Sequence, residues 1–169
     1  MAPRFLTRMC RQHAEALALF ATATRGGRVV DRQSYDLFRG ALLQHIAIEE
    51  RVLMPALSAR LGAAFEPTRR KLQQDHEGIL ALLVPTPNEI WLEDLHEILL
   101  HHFAVEESPG HLHALCALHL AEDDRLLRLA AARLPPIPLE PFEDGARVSQ
   151  VLARMKAAVG IPARSLVSV

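Results

Sequence analysis

The chain has 169 residues, half of them apolar and few aromatic, with a formal net charge of −1. That length suits one domain with a core of its own, and near-neutral charge with scattered basic residues gives no electrostatic basis for binding nucleic acid or an anionic membrane surface. Leu and Ala dominate, which favours helices over sheet, and no run of 18 apolar residues free of charge predicts a membrane span. The two cysteines, Cys10 and Cys116, form no CxxC pair, and the first residues lack the apolar centre of a signal peptide. A reduced, cytoplasmic protein is expected. Nine histidines are many for this length.

In chain order, residues 4–24 predict a first helix, with Phe5, Met9, Cys10, His13, Ala16, Leu17 and Phe20 at helical spacing and a stop at Gly26-Gly27. A second helix runs from an N-cap at Asp31 to about Leu61, with Phe38, Leu42, His45, Ile48, Glu49 and Val52 inward and Gly62 as its stop. Pro55 lies inside this pattern and predicts a kink or the end of its regular part. A third helix starts near Pro67, carries Leu72, His76, Ile79, Leu80 and Leu83, and halts before Pro85 and Pro87. A fourth follows Asn88 as N-cap and carries Leu92, Leu95, Ile98, Leu99, His102 and Glu106 up to Ser108-Pro109-Gly110. Residues 111–134 predict a fifth helix, and the run from Leu134 to Pro141 an extended proline-rich linker. A last amphipathic helix is expected over 145–159, followed by a loose tail. Residues 1–108 thus make a four-helix unit, and 109–169 a helical extension packed on it or trailing from it.

The chemistry concentrates in two short stretches, His45-x-x-x-Glu49 and His102-x-x-x-Glu106. Positions four apart share a helix face, so each stretch aims an imidazole and a carboxylate at one point. Both lie in apolar rows, where a carboxylate is costly without a compensating charge. His13 and His76 supply one histidine on each of the other two helices. In an up-down arrangement, residues equidistant from a connecting loop meet at the same level. The midpoint of 13 and 45 is 29, that of 45 and 76 is 60.5, and that of 76 and 102 is 89, each at or beside a predicted loop. The expected fold is therefore an all-α, up-down four-helix bundle with an additional C-terminal helical segment. The four histidines form one layer across it, with Glu49 and Glu106 a turn away. Four imidazoles and two carboxylates suit a pair of first-row metal ions, with iron favoured over Mn or Zn.

A lone His, an HxxxE, a lone His and a second HxxxE on four successive helices resembles the hemerythrin-like, or HHE cation-binding, family over roughly residues 9–108. The flanks Glu49-Glu50-Arg51-Val52-Leu53-Met54-Pro55 and His102-Phe103-Ala104-Val105-Glu106-Glu107 also look like the family. The resemblance implies a non-haem centre of two iron ions of the Fe–O–Fe type. His13, His45, His76 and His102 would be terminal ligands, with Glu49 and Glu106 as bridges. The oxygen-carrying members have HxxxH on the third helix, whereas Leu80 and Leu72 flank His76 at that spacing here. The six-ligand pattern is similar to bacterial iron-centre repair proteins and to the iron-sensing domain of an F-box protein. It leaves room at the metals for O₂, NO, peroxide or water.

Single histidines on apolar faces are more often packed core residues than ligands, and only the ordered set outweighs that reading. The i+4 register prefers Glu49 over Glu50, Glu106 over Glu107 and His102 over His101. Glu50 and Glu107 are expected to support the ligands or lie at the surface. His96 is expected to pack, His111 and His113 to lie at the surface, His119 to belong to a solvated face, and Cys10 to be buried as packing. Tyr35 is nearly three turns from His45. No glycine-rich phosphate loop, GxSxG or cysteine-nucleophile motif is present, so nothing among the side chains marks an enzyme. The expected function is a di-iron protein that binds or responds to a small diatomic or an oxidant, or handles iron. A metal-dependent module signalling to a protein partner through 109–169, and a scaffold with a vestigial site, are the alternatives.

Overall fold

Met9, His13, Ala16 and Phe20 return every three or four residues and form the buried stripe of α1 (Arg4–Thr24). The computed structural model describes residues 4–25, 30–87, 89–120 and 144–160, and among these the chain is all-helical. Asp31 caps α2 (Arg32–Ile48) by accepting the Ser34 N–H at 3.1 Å. Its buried face carries Phe38, Leu42, His45 and Ile46.

Between α2 and α3 (Met54–Leu61) the helix widens into one π turn, Glu49–Leu53. The cause is Pro55. It has no N–H, and its ring crowds the carbonyl four residues back. The Met54 N–H instead donates to the Glu49 carbonyl, five residues earlier. The disturbance expected at Pro55 thus takes the form of an inserted residue directly after His45 and Glu49, a place where π turns often accompany function. Gly62 then ends α3 with φ of 55°, a left-handed value that a residue without Cβ adopts freely.

α4 (Glu66–Leu83) has Pro67 in its first turn and stops ahead of Pro85. α5 spans Glu89–Glu107; its expected cap, Asn88, lies outside the described residues. α6 covers Leu112–Leu120, and the remainder of the expected fifth helix and the proline-rich linker lie outside the described residues. α7 (Gly145–Val159) matches the expected last helix. Asp144 caps its start through the N–H groups of Ala146 and Arg147, and Gly160 closes it with φ of 72°. The tail after Gly160 is outside the described residues. None of the described helices is long and apolar enough to cross a membrane.

Two apolar clusters make the core. One gathers Phe20, Phe38, Leu42, Ile79, Leu95 and Leu99, with Val148 and Met155 of α7. The other gathers Met9, Ile48, Leu53, Leu57 and Leu72, with Leu112, Cys116 and Leu120 of α6. On α1 the site residue His13 lies between Met9 and Ala16, and on α4 His76 lies between Leu72 and Ile79, members of the two clusters in turn. A polar layer is thus held between two apolar ones.

α7 docks on α4 and α5 through a close backbone approach. The Met155 side chain occupies the space where a Cβ on Gly78 would stand. Beside it, buried Lys156 donates to Asp94 at 2.7 Å. Gly78→Ala should displace Met155 and cost ~1–3 kcal/mol by overpacking, read as a lower denaturation midpoint. Adding Met155→Ala to that variant should restore part of the loss, whereas an unchanged Gly78→Ala protein would contradict the contact.

A candidate dinuclear metal centre

All six residues singled out by spacing come together between α1, α2, α4 and α5, with the π turn starting at Glu49. Glu49, His76 and Glu106 have no exposed surface, and His13, His45 and His102 almost none. They form two overlapping donor groups. One is His13, His45, Glu49 and Glu106, the other Glu49, His76, His102 and Glu106, and within each the donor atoms lie inside 4.8 Å of one another.

The two glutamates belong to both groups, and each divides its oxygens between them. Glu49 Oε1 lies 3.2 Å from His45 Nε2, and its Oε2 lies 3.3 Å from His76 Nε2. Glu106 Oε2 lies 3.2 Å from His13 Nε2, and its Oε1 lies 3.0 Å from His102 Nε2 and 3.5 Å from His76 Nε2. His13 and His45 bring their Nε2 atoms within 2.9 Å. Donors held at ~2.1 Å by one ion at right angles stand ~3.0 Å apart, so these spacings suit ions placed between them.

Hydrogen bonding does not account for the cluster. Both oxygens of Glu49, both of Glu106, His76 Nε2 and both ring nitrogens of His102 are buried without a hydrogen-bond partner. The atoms are close but poorly aligned for proton sharing. Each such orphan costs ~1–3 kcal/mol. Cations at the centre of each group would satisfy them together, and the donor set fits first-row metal ions.

The outer edges of the rings support the same orientation. Glu107 Oε1 accepts from His13 Nδ1 at 2.6 Å, and Glu50 Oε1 from His76 Nδ1 at 3.0 Å. Gln12 Oε1 accepts from His45 Nδ1 at 3.3 Å. A carboxylate or amide oxygen can only accept, so in the neutral tautomer the proton sits on Nδ1 and the Nε2 lone pair is the one left for the inner side. Phe103 stacks on the His13 ring at 3.9 Å between centroids and walls that side of the layer.

Electrostatics point the same way. Burial alone would lower the His45 pKa, but the nearby negative charges of Glu49 and Glu106 outweigh it and raise it to about 9. Burial is likewise overcome at His76, whose pKa is raised by Glu106, Glu49 and Glu50. Burial and the charge of Glu106 would raise the Glu49 carboxyl, yet His45 and His113 hold it well below the usual range. Glu106, also opposed by burial, is held low chiefly by His102. The anions demand positive charge, and without a metal the histidines supply it as protons.

Other histidines fall as follows. His101 and His111 are exposed, and His96 stacks on Phe20 at 5.3 Å. His119 is half-buried, and its carbonyl accepts from Arg60. Tyr35 packs on Phe38, away from the layer. Two expectations are corrected. His113, expected at the surface, is buried. Its ring stacks on His13 at 5.2 Å, and its Nε2, also without a hydrogen-bond partner, lies 3.8 Å from Glu49 Oε1. Cys10, expected to be buried, is exposed, with Sγ 3.6 Å from His113 Nδ1. His113 is buried because α6 packs against α1, α3 and α5 and turns it inward with Leu112, Cys116 and Leu120. The only sequence signal was that His113 shares a helical stripe with Cys116 and Leu120.

No family model matches the chain, and neither a curated protein nor a solved structure does.

The metal-free protein should show a definite pH dependence. His45 and His76 have folded pKa values raised above the ordinary 6.5, so their contribution is complete below that pH and is lost as pH rises through the folded values. Glu49 and Glu106 are lowered, so theirs is present above the ordinary carboxyl range and is lost only in stronger acid. Stability of the metal-free protein should therefore peak in mild acid and fall as pH rises from 6.5 through about 9. Chemical denaturation against pH checks this; rising stability across that window would contradict it.

Proposed function

We propose that the chain is a hemerythrin-like protein whose α1, α2–α3, α4 and α5 form an up-down four-helix bundle around two iron ions. In this reading it binds or responds to a small diatomic or an oxidant. The observation that carries the reading is the division of the Glu49 and Glu106 oxygens between two histidine pairs. His13 and His45 would hold one ion, His76 and His102 the other, and the two carboxylates would bridge them. Imidazole with carboxylate and no thiolate in the set favours iron over zinc. Iron bound there would supply redox chemistry and open coordination positions for an exogenous ligand. The chain's own part is to orient and to exclude water. Glu107, Gln12 and Glu50 fix three rings by their Nδ1 atoms, and the apolar layers on either side keep the centre dry.

A second reading, a module that reports metal or ligand occupancy, is favoured by the C-terminal packing. Met155 of α7 rests on Gly78, two residues from His76 on the same helix. A change at His76 would act on the seat of α7. Hydrogen exchange over residues 145–160 should then slow on metal loading; equal exchange would remove this reading.

Protein from iron-replete cells should carry close to two iron per chain, with the Mössbauer signature of a coupled pair. Less than ~0.5 equivalents of any transition metal would overturn the proposal, since such a donor set binds tightly. Glu49→Ala or Glu106→Ala should abolish binding at both positions. Glu50→Ala should only weaken it, by about 10–100-fold, because it frees the His76 ring without removing a donor. Total loss in Glu50→Ala with retention in Glu49→Ala would reverse the assignment of roles.

A further inference from the structure

Beside the buried centre lies a third donor group that the six residues do not include. Cys10 of α1, Glu107 at the end of α5 and His113 of α6 each bring a ligand atom within 4.8 Å of the others. Cys10 is exposed and Glu107 is 42 % exposed, whereas His113 is buried. The group therefore has an open side toward solvent and a closed side toward the core. A thiolate at ~2.3 Å and an imidazole at ~2.0–2.1 Å on a tetrahedral ion stand ~3.5–3.6 Å apart. The Cys10 Sγ to His113 Nδ1 distance is 3.6 Å.

This group touches the inner layer at each of its buried contacts. Glu107 accepts from His13 and follows Glu106 in the chain. The far nitrogen of His113, buried and without a hydrogen-bond partner, points to Glu49 Oε1. His113 thus presents one nitrogen to the outer group and the other to the inner one. The inner layer is closed to solvent, so an ion must be handed in from somewhere.

We propose that Cys10, Glu107 and His113 form an outer site for a divalent first-row ion, through which metal enters the buried centre. Binding releases the Cys10 thiol proton to solvent and makes a sulfur–metal bond, with His113 Nδ1 and a Glu107 oxygen as the other protein donors and water completing the shell. The ion is then passed toward Glu49, the nearest inner carboxylate. The entry role rests on the buried pair of the preceding section; the outer site itself does not.

Cobalt(II) separates the two. Added to the full-length metal-free protein, it should give a near-ultraviolet thiolate-to-cobalt charge-transfer band. Cys10→Ser should lose that band while keeping the weaker visible bands of cobalt held by histidine and carboxylate. No band in the unaltered chain, or the same band in Cys10→Ser, would overturn the outer site. Because the band needs sulfur, it reports the outer site even if the buried centre takes up no metal. For the entry role, Cys10→Ser should take up ferrous iron about tenfold more slowly, the scale on which removing a metal-site partner acts, and reach the same final stoichiometry. Uptake at an unchanged rate would overturn that role, and circular dichroism of Cys10→Ser before loading excludes misfolding as the cause.

Discussion

Two carboxylates without exposed surface, Glu49 and Glu106, set the terms for the rest of the molecule. Removing an anion from water costs several kcal/mol even after the protein relaxes, and two such anions share one small volume here. Nothing in their surroundings repays this by ordinary hydrogen bonding, since all four oxygens lack a hydrogen-bond partner. What surrounds them instead is a ring of imidazole Nε2 atoms at 3.0–3.9 Å. Such a layer is stable only with added positive charge. Glu49 and Glu106 raise the His45 and His76 pKa values, so protons on those rings can supply part of it, and the proposed pair of ions would fill it better.

The rest of the fold serves this layer. Apolar clusters lie on both sides of it and keep the local dielectric low, which strengthens every charge interaction inside. α6 and α7 each belong to one cluster, so both helices are part of the packing that encloses the site. The π turn at Glu49–Leu53 places an irregular backbone directly after the His45–Glu49 pair. It lets the helix pass Pro55 while Glu49, Val52 and Leu53 all remain buried.

How much of this was readable in the sequence follows from how local each feature is. His45 and Glu49, like His102 and Glu106, are a turn apart on one helix, so periodicity alone brings them together. Loop midpoints then levelled His13 with His45 and His76 with His102, and the structure gathers all six residues. Glu107 and Glu50 were expected either to support the ligands or to lie at the surface, and they are found against His13 and His76 with Glu107 still exposed. His113 was not readable in this way. Its partner is Glu49, on a distant helix, and no carboxylate lies at helical spacing from it. Cys10 shares its stripe with Met9 and His13 by spacing, yet it sits at the rim, where α6 rather than α1 decides what it faces. Pro55 announced a disturbance, but whether it became a kink, a break or a π turn depended on packing around Glu49.

The central claim is that two ions share Glu49 and Glu106. Anomalous X-ray scattering at the iron edge, from crystals of iron-loaded protein, tests it most directly. The account predicts two peaks ~3.5–4 Å apart, the usual spacing of a dinuclear site. One peak should lie against His13 and His45 and the other against His76 and His102, with both glutamates between. A single peak, or iron bound away from Glu49 and Glu106, would contradict it.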